Sequence, residues 1–278
     1  MVPVIKWVGG KRQLLPTIMK MIPDEFGTYY EPFLGGGAVY MALEPKSAVV
    51  NDFNPQLTNL YKVIRRNPEG FIASLKELET IFNSLQSDEE RKQFYLDSRD
   101  RFNSILFENG NTLERASLLV LLNKSGFNGL YRVNSDGLFN VPFGKKTHLN
   151  LCDEDNIRDI AKKMHSAKIM TGDFEKACRS AEKGDFVFFD SPYYDTFDTY
   201  QAGGFSEADH VRLAKLYESL TDRGVYCMLT NSNTDFIKNL YSDYNVDIVA
   251  VKRMVNCDAS KRTGEEVIVT NYSNGGAL

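Results

Sequence analysis

Phe186-Val187-Phe188-Phe189-Asp190-Ser191-Pro192-Tyr193-Tyr194 is a short apolar run that stops abruptly at an acid, a proline and two tyrosines. Four consecutive β-prone apolar residues with no polar one between them predict a strand buried on both faces, as central strands of parallel sheets are. Ligands of open α/β sheets bind beyond the carboxyl ends of such strands, so Asp190 and Tyr193 fall where chemistry is done. An ordinary proline turn after a strand would read the same way. The chemistry that wants these groups is attack by an amine on an aromatic ring, whose delocalised lone pair is a poor nucleophile. Asp190 accepting one N–H, the Ser191 carbonyl accepting the other and the Tyr193 ring stacked on the amine's own ring would aim it at an electrophile. Pro192 fixes the turn that presents them.

Working outward, the chain around this strand alternates strands and helices. Strands are predicted over Ala167 to Thr171, Val225 to Thr230, Val246 to Val251 and Glu266 to Asn271, with helices from about Asp153 to Met164 and Ser206 to Leu220. Towards the N-terminus, Tyr29-Tyr30-Glu31-Pro32-Phe33-Leu34-Gly35-Gly36-Gly37-Ala38 reads as strand, glycine turn, then helix to about Glu44. The glycines permit close backbone approach to a nucleotide, although the spacing is not GxGxxG. Ala48-Val49-Val50-Asn51-Asp52 is a second short strand ending in an acid, from which a carboxylate reaches ribose hydroxyls. Asp173 and Phe174 follow a third strand and could grip the edge and face of an adenine. Lys6-Trp7-Val8-Gly9-Gly10-Lys11-Arg12 offers a stacking face in Trp7 and a positive charge in Lys11, or else is a plain helix start with a packed tryptophan.

From Asn54 to about Leu122 the pattern is helical and strongly charged, with no strand signal. It leads to Lys124-Ser125-Gly126-Phe127-Asn128-Gly129-Leu130-Tyr131-Arg132-Val133-Asn134, and then through Asp136-Gly137 to Asn140-Val141-Pro142-Phe143-Gly144-Lys145-Lys146. Asp-Gly between two short alternating runs signals a hairpin. Between Lys124 and Lys146 the cations Lys124, Arg132, Lys145 and Lys146 face a single acid, Asp136, so the stretch is locally positive. Arginine and asparagine suit base edges and lysines suit phosphates, though a polar surface hairpin has the same composition.

With 278 residues, 42% of them hydrophobic, the chain can bury a full core, and a formal charge of −4 excludes a uniformly basic coat. No apolar run is long enough to span a bilayer and no signal-peptide pattern opens the chain, which gives the expectation of a cytoplasmic protein without a membrane. The cysteines Cys152, Cys178, Cys227 and Cys257 lack metal spacing and are expected to be buried thiols, with no metal.

Five segments in order carry a resemblance: Lys6 to Arg12, Glu31 to Gly37, Asn51-Asp52, Asn128 to Asn134 with Phe139 to Gly144, and Asp190 to Tyr193. Together they resemble the Dam-type, D12-class DNA adenine N6-methyltransferases. The resemblance implies an α/β fold: a Rossmann-like S-adenosylmethionine-dependent methyltransferase sheet with an inserted helical DNA-recognition subdomain carrying a β-hairpin. The catalytic domain is then 1–54 and 150–278, and the recognition subdomain 55–149. It also implies S-adenosylmethionine as methyl donor and an adenine flipped out of duplex DNA as acceptor, commonly within GATC, with the enzyme acting as a monomer.

The implied catalytic residues are Asp190, Ser191, Pro192 and Tyr193. The cofactor residues are Trp7, Lys11, Phe33, Gly35, Gly37, Asp52, Asp173, Phe174 and Asp190, and the DNA residues are Lys124, Asn128, Leu130, Arg132, Asn134, Pro142 and Lys145. The family pattern is Asp-Pro-Pro-Tyr, and Ser191 stands at its second position; a main-chain acceptor there preserves the chemistry. The aromatic loop Tyr194 to Gly204 is expected to be a lid. Two rivals stand beside this reading: an aminomethyltransferase acting on RNA or a protein glutamine, and a DNA-binding relative weakened in catalysis by Ser191.

Overall fold

A computed structural model describes residues 1–11, 13–108, 110, 112–194, 204–252 and 263–273. Among these the strands are β1 (Tyr29–Glu31), β2 (Ala48–Asp52), β3 (Ala167–Thr171), β4 (Phe186–Phe189), β5 (Tyr226–Ser232), β6 (Asn245–Lys252) and β7 (Thr263–Thr270). They form one sheet in the order β3-β2-β1-β4-β5-β7-β6. The first five run parallel, and β7 is antiparallel to both neighbours. Strand β1 lies between β2 and β4, so the chain order reverses there and opens a crevice beyond the carboxyl ends of β1 and β4.

The continuous apolar run of β4 has a direct cause. Phe186 and Phe188 pack into a core on one face of the sheet, and Val187 and Phe189 into a second core on the other. Helices α1 (Leu15–Met21), α2 (Ala38–Leu43), α3 (Pro55–Arg66), α4 (Pro68–Ser84), α5 (Asp88–Ser104), α6 (Thr112–Ser125) and α7 (Glu154–Met164) contribute to the first core. Helices α8 (Phe174–Cys178), α9 (Glu207–Asp222) and α10 (Asp235–Leu240) contribute to the second. Cys178 and Cys227 are buried thiols and Cys152 is half-buried, while Cys257 lies outside the described residues.

The helical stretch between β2 and β3 starts and stops on side-chain caps. Asn54 Oδ1 accepts from Gln56 N at 2.9 Å, Asn67 caps α4, and Ser87 with Glu90 forms a capping box on α5. Helix α6 is buried on nearly every side, which suits a sequence that is apolar around its whole circumference. The core of these helices is continuous with that under the sheet.

The expected hairpin forms, but through isolated bridges at Gly126 with Phe143 and Val133 with Phe139. Asn134 Oδ1 takes the N–H groups of Asp136 and Leu138, and Gly137 supplies the positive φ of the turn (76°). Pro142 has no N–H to extend a ladder.

Candidate active site

At the carboxyl end of β4, Asp190 forms an ion pair with Lys11, whose side chain is only 3% exposed. Lys11 Nζ also donates to the Gly9 carbonyl at 2.7 Å and lies 4.6 Å from the centre of the Tyr193 ring. Sequence reasoning read Lys11 as a positive charge beside the cofactor; the anion it meets here is the Asp190 carboxylate. Burial pushes the Asp190 carboxyl up, and Lys11 together with the Thr230 hydroxyl, which donates at 3.2 Å, opposes that. The pairing favours the ionised form of Asp190 against the burial that opposes it.

Ser191 is buried and its Oγ accepts from Asn231 Nδ2 at 3.0 Å; the same nitrogen reaches the Pro192 carbonyl at 3.3 Å. The Tyr193 hydroxyl donates to Glu266 Oε2 at 2.5 Å, which fixes the direction of the ring. Tyr194 stacks on Phe236 with ring centres 4.3 Å apart and donates to Glu207 at 2.6 Å. Residues 195–203 of the proposed lid lie outside the described residues.

The glycine turn after β1 is braced from two sides. Gly35 and Gly37 have φ of 49° and 68°, conformations that glycine adopts without penalty. A Cβ on Gly35 would come within 2.9 Å of Trp7 Cδ1, so part of the room left by the glycine is taken by Trp7. Asp52 completes the brace: its Oδ2 accepts from Gly35 N and its Oδ1 from Asn54 N, both at 2.8 Å. Burial pushes the Asp52 carboxyl up to about 6 against these two bonds. Glu31, at the end of β1, accepts from Tyr29 Oη at 2.8 Å and is pushed up to about 8, first by burial, with Asp190 and Asp52 adding repulsion. Asp190, Asp52, Glu31, Lys11, Trp7, Gly35 and Gly37 therefore converge on the crevice between β1 and β4.

The end of β3 differs in detail from the sequence reading. Asp173 caps α8 through Glu175 N at 3.0 Å and pairs with Arg212 at 2.9 Å. Phe174 is buried, with Phe33 at 5.4 Å, Phe205 at 5.9 Å and the Arg212 guanidinium at 5.0 Å from its ring. Its ring faces are engaged by protein, which limits it as a stacking platform; the Phe33 ring is half-buried.

On the hairpin side, Asn128, Arg132, Pro142, Lys145 and Lys146 are exposed, whereas Leu130 and Asn134 are half-buried. Arg132 Nε donates to Asn140 Oδ1 at 2.7 Å and a terminal nitrogen to the Asn140 carbonyl at 3.0 Å, so the guanidinium is held in one orientation. Lys124 spends its ammonium on the carbonyls of Asn150 and Leu151, at 2.9 and 3.1 Å, and burial lowers its pKa. That environment leaves it poorly placed as a phosphate contact.

Residues to which sequence reasoning gave no role of their own hold these parts together. Asn123, buried on α6, exchanges two bonds with the Lys6 backbone and donates to the Gly129 carbonyl at 2.8 Å, joining the Trp7 segment to the hairpin. Asn51 donates to the carbonyls of Pro32 and Gly172, at 2.9 and 2.8 Å, tying the ends of β1, β2 and β3. Both are polar residues in otherwise apolar stretches, which was the available signal.

Comparison with known proteins gives the family. The family model for D12 class N6 adenine-specific DNA methyltransferases matches residues 7–257. A type II methyltransferase of Lactococcus lactis subsp. cremoris is 40% identical over 98% of this chain and 96% of its own length. A type II methyltransferase of Methanocaldococcus jannaschii is 39% identical over 97% of this chain and 99% of its own. A DNA adenine methylase of Haemophilus influenzae is 32% identical over 97% and 93%. A family model matched over residues 7–257 and relatives of 32–40% identity along nearly the whole chain place it in one family: the chain belongs to the D12 class N6 adenine-specific DNA methyltransferases.

Proposed function

We propose that this chain moves a methyl group from S-adenosylmethionine to the exocyclic amine of an adenine flipped out of duplex DNA, with GATC as the first site to test. The observation that carries the reading is the juxtaposition of the Asp190 to Tyr193 loop with Asp52 and the glycine turn in one crevice. S-adenosylmethionine would supply an electrophilic methyl on a sulfonium. Among the described residues three carboxyl side chains, Asp52, Glu31 and Asp190, stand against one buried ammonium, Lys11, and a bound sulfonium would favour their ionised forms against the burial that raises them.

In this reading Asp52 and the Gly35 to Gly37 turn hold the nucleoside and methionine parts, with Trp7 behind the turn. Asp190 accepts one amine N–H, the Ser191 carbonyl accepts the second, and the Tyr193 ring stacks on the base. These contacts would localise the lone pair on nitrogen for attack on the methyl carbon; the carbon–sulfur bond breaks as the nitrogen–carbon bond forms, S-adenosylhomocysteine leaves as a neutral thioether, and the methylated amine gives one proton through Asp190 to solvent, so the adenine product is neutral. Extrusion of the base is required because its amine is paired inside the duplex. The segment 55–149 would act as the recognition subdomain, with Arg132 and Asn128 at base edges and Lys145 at phosphate.

The test is incubation of the purified chain with S-adenosylmethionine and duplex DNA, RNA or a glutamine peptide, followed by sequencing of methylated adenines. N6-methyladenine in duplex DNA at one short sequence is the expected result. Methyl transfer to RNA or peptide alone, or none at all, would refute the reading.

A further inference from the structure

Three consecutive residues of β5 grip the catalytic loop. Thr230 Oγ1 donates to Asp190 Oδ1 at 3.2 Å, and Asn231 Nδ2 donates to Ser191 Oγ at 3.0 Å and to the Pro192 carbonyl at 3.3 Å. Asn231 Oδ1 accepts from Tyr194 N at 3.0 Å, and Ser232 Oγ donates to the Tyr194 carbonyl at 2.8 Å. Asn231 is fully buried and Ser191 is 2% exposed. The orientation of the Asn231 amide is fixed by its surroundings: the N–H groups of Tyr194 and Ser232 both need an acceptor, so the oxygen faces them and the nitrogen faces Ser191.

We propose that Asn231 is a positioning residue for methyl transfer and that Ser191 is its built-in partner. The proposal rests on the catalytic reading of the Asp190 loop given above. The pair fixes the peptide on which the Ser191 carbonyl is presented, between an Asp190 held by Lys11 and Thr230 and a Tyr193 held by Glu266. A serine where the family pattern has proline thus supplies a hydrogen-bond acceptor that proline cannot. Loop rigidity that a ring would provide covalently comes here from a buried amide strapped across the turn.

The consequence is that the common family residue should be the wrong one in this chain. Ser191→Pro and Ser191→Ala each leave a buried Asn231 donor with only the longer bond to Pro192, and each is expected to lower kcat by about tenfold. Asn231→Ala releases the loop at Ser191, Pro192 and Tyr194 together and is expected to lower kcat by roughly a hundredfold, as for a displacement of the reacting groups by an ångström. KM for S-adenosylmethionine and for duplex DNA should stay within about threefold, since Asn231 is fully buried and would touch neither ligand. In the double variant Asn231→Ala with Ser191→Ala, kcat should be no lower than in Asn231→Ala alone, because the one bond that Ser191→Ala removes is already lost with Asn231.

Steady-state kinetics on these variants and on Asp190→Ala, each with a thermal melt, form the test. Losses in kcat at unchanged KM in variants that melt like wild type support the proposal. It is overturned if Ser191→Pro runs at the wild-type rate or faster, or if the effects of Asn231→Ala and Ser191→Ala multiply. Should Asn231→Ala fail to fold, the two Ser191 variants decide the matter by the same criterion. An inactive Asp190→Ala beside fully active Ser191 variants sinks the positioning role alone. An active Asp190→Ala sinks the catalytic reading and this proposal with it.

Discussion

Replacing Asp52 perturbs a group that both braces the glycine turn and, in the proposed function, meets the ribose of the cofactor. Its carboxyl is held at about 6 instead of the usual 3.8, a displacement worth about 3 kcal/mol against ionisation even with two N–H bonds in place. The sign follows from that direction. Because the folded pKa lies above the unfolded one, ionising Asp52 lowers the stability of the ligand-free fold as pH rises from about 4 to about 6. Ribose hydroxyls donate best to the ionised form, so affinity for S-adenosylmethionine should rise over the same window and level off above it, falling by at most about tenfold for each pH unit below. Asp52→Ala removes a hydrogen bond to a charged acceptor and the anchor of Gly35 N, and should weaken affinity roughly ten- to a hundredfold at neutral pH. Calorimetric titration of cofactor into wild type and variant, from about pH 5 to about pH 8, separates this from Glu31, which burial pushes up to about 8 and which loses only the repulsion from Asp52 in the variant. Wild-type affinity in Asp52→Ala, or an unchanged low-pH decline, would refute the reasoning.

Lys11→Met removes the charge that opposes burial at Asp190, so the acid limb of the kcat against pH profile should move to higher pH; an unmoved limb means that Asp190 does not titrate in that limb. Tyr193→Ala should abolish stacking and nearly all turnover, whereas Tyr193→Phe keeps the ring and loses the hydroxyl with its bond to Glu266, giving a modest fall in kcat measurable in the same assay. Arg132→Ala should cost about 1–3 kcal/mol on the preferred site and relax discrimination at one base pair, while Lys145→Ala weakens every sequence alike and flattens the salt dependence. Methylation rates on single-base variants at two salt concentrations tell these apart.

The elements around the crevice were legible because their signals are local. An unbroken apolar run at 186–189, acids closing the runs at 48–52 and 186–190, and a helical period from Asn54 onward gave β4, β2 and α3 to α6 close to where they stand. The bracing of the site was not legible, since its partners are far apart in sequence. Asn231 is 40 residues from Ser191, and Asn123 is 117 from Lys6. Lys11 was readable as a cation but its partner was not, because the ion pair exists only once the N-terminal segment lies across the end of β4. Arg212 gave no signal: on its own helix it looks like an ordinary solvated charge, yet it joins Asp173, Glu175 and Asp209.

What these hidden residues share is a physical role. The loops beyond strands β1 to β5 leave carbonyl and N–H groups in a crevice from which packing excludes water, and buried Asn and Asp side chains satisfy them. An amide does this where a carboxylate cannot, and Asn51 makes the difference measurable. Its nitrogen donates to the carbonyls of Pro32 and Gly172, in a region that already contains Glu31 and Asp52 with pKa values raised by burial. Asn51→Ala strips both carbonyls of their donor and should destabilise the fold by about 1–3 kcal/mol. Asn51→Asp has nearly the same shape, but it turns an acceptor towards two acceptors and adds a fourth acid to the crevice beside Glu31, Asp52 and Asp190. It should therefore destabilise more than alanine at neutral pH, and regain ground as pH falls and the new carboxyl takes up the proton that lets it donate. Urea denaturation of the two variants at neutral and mildly acidic pH makes the comparison. An aspartate variant as stable as the alanine one at neutral pH would show that Asn51 acts by filling space, and that the strand ends are held by packing alone.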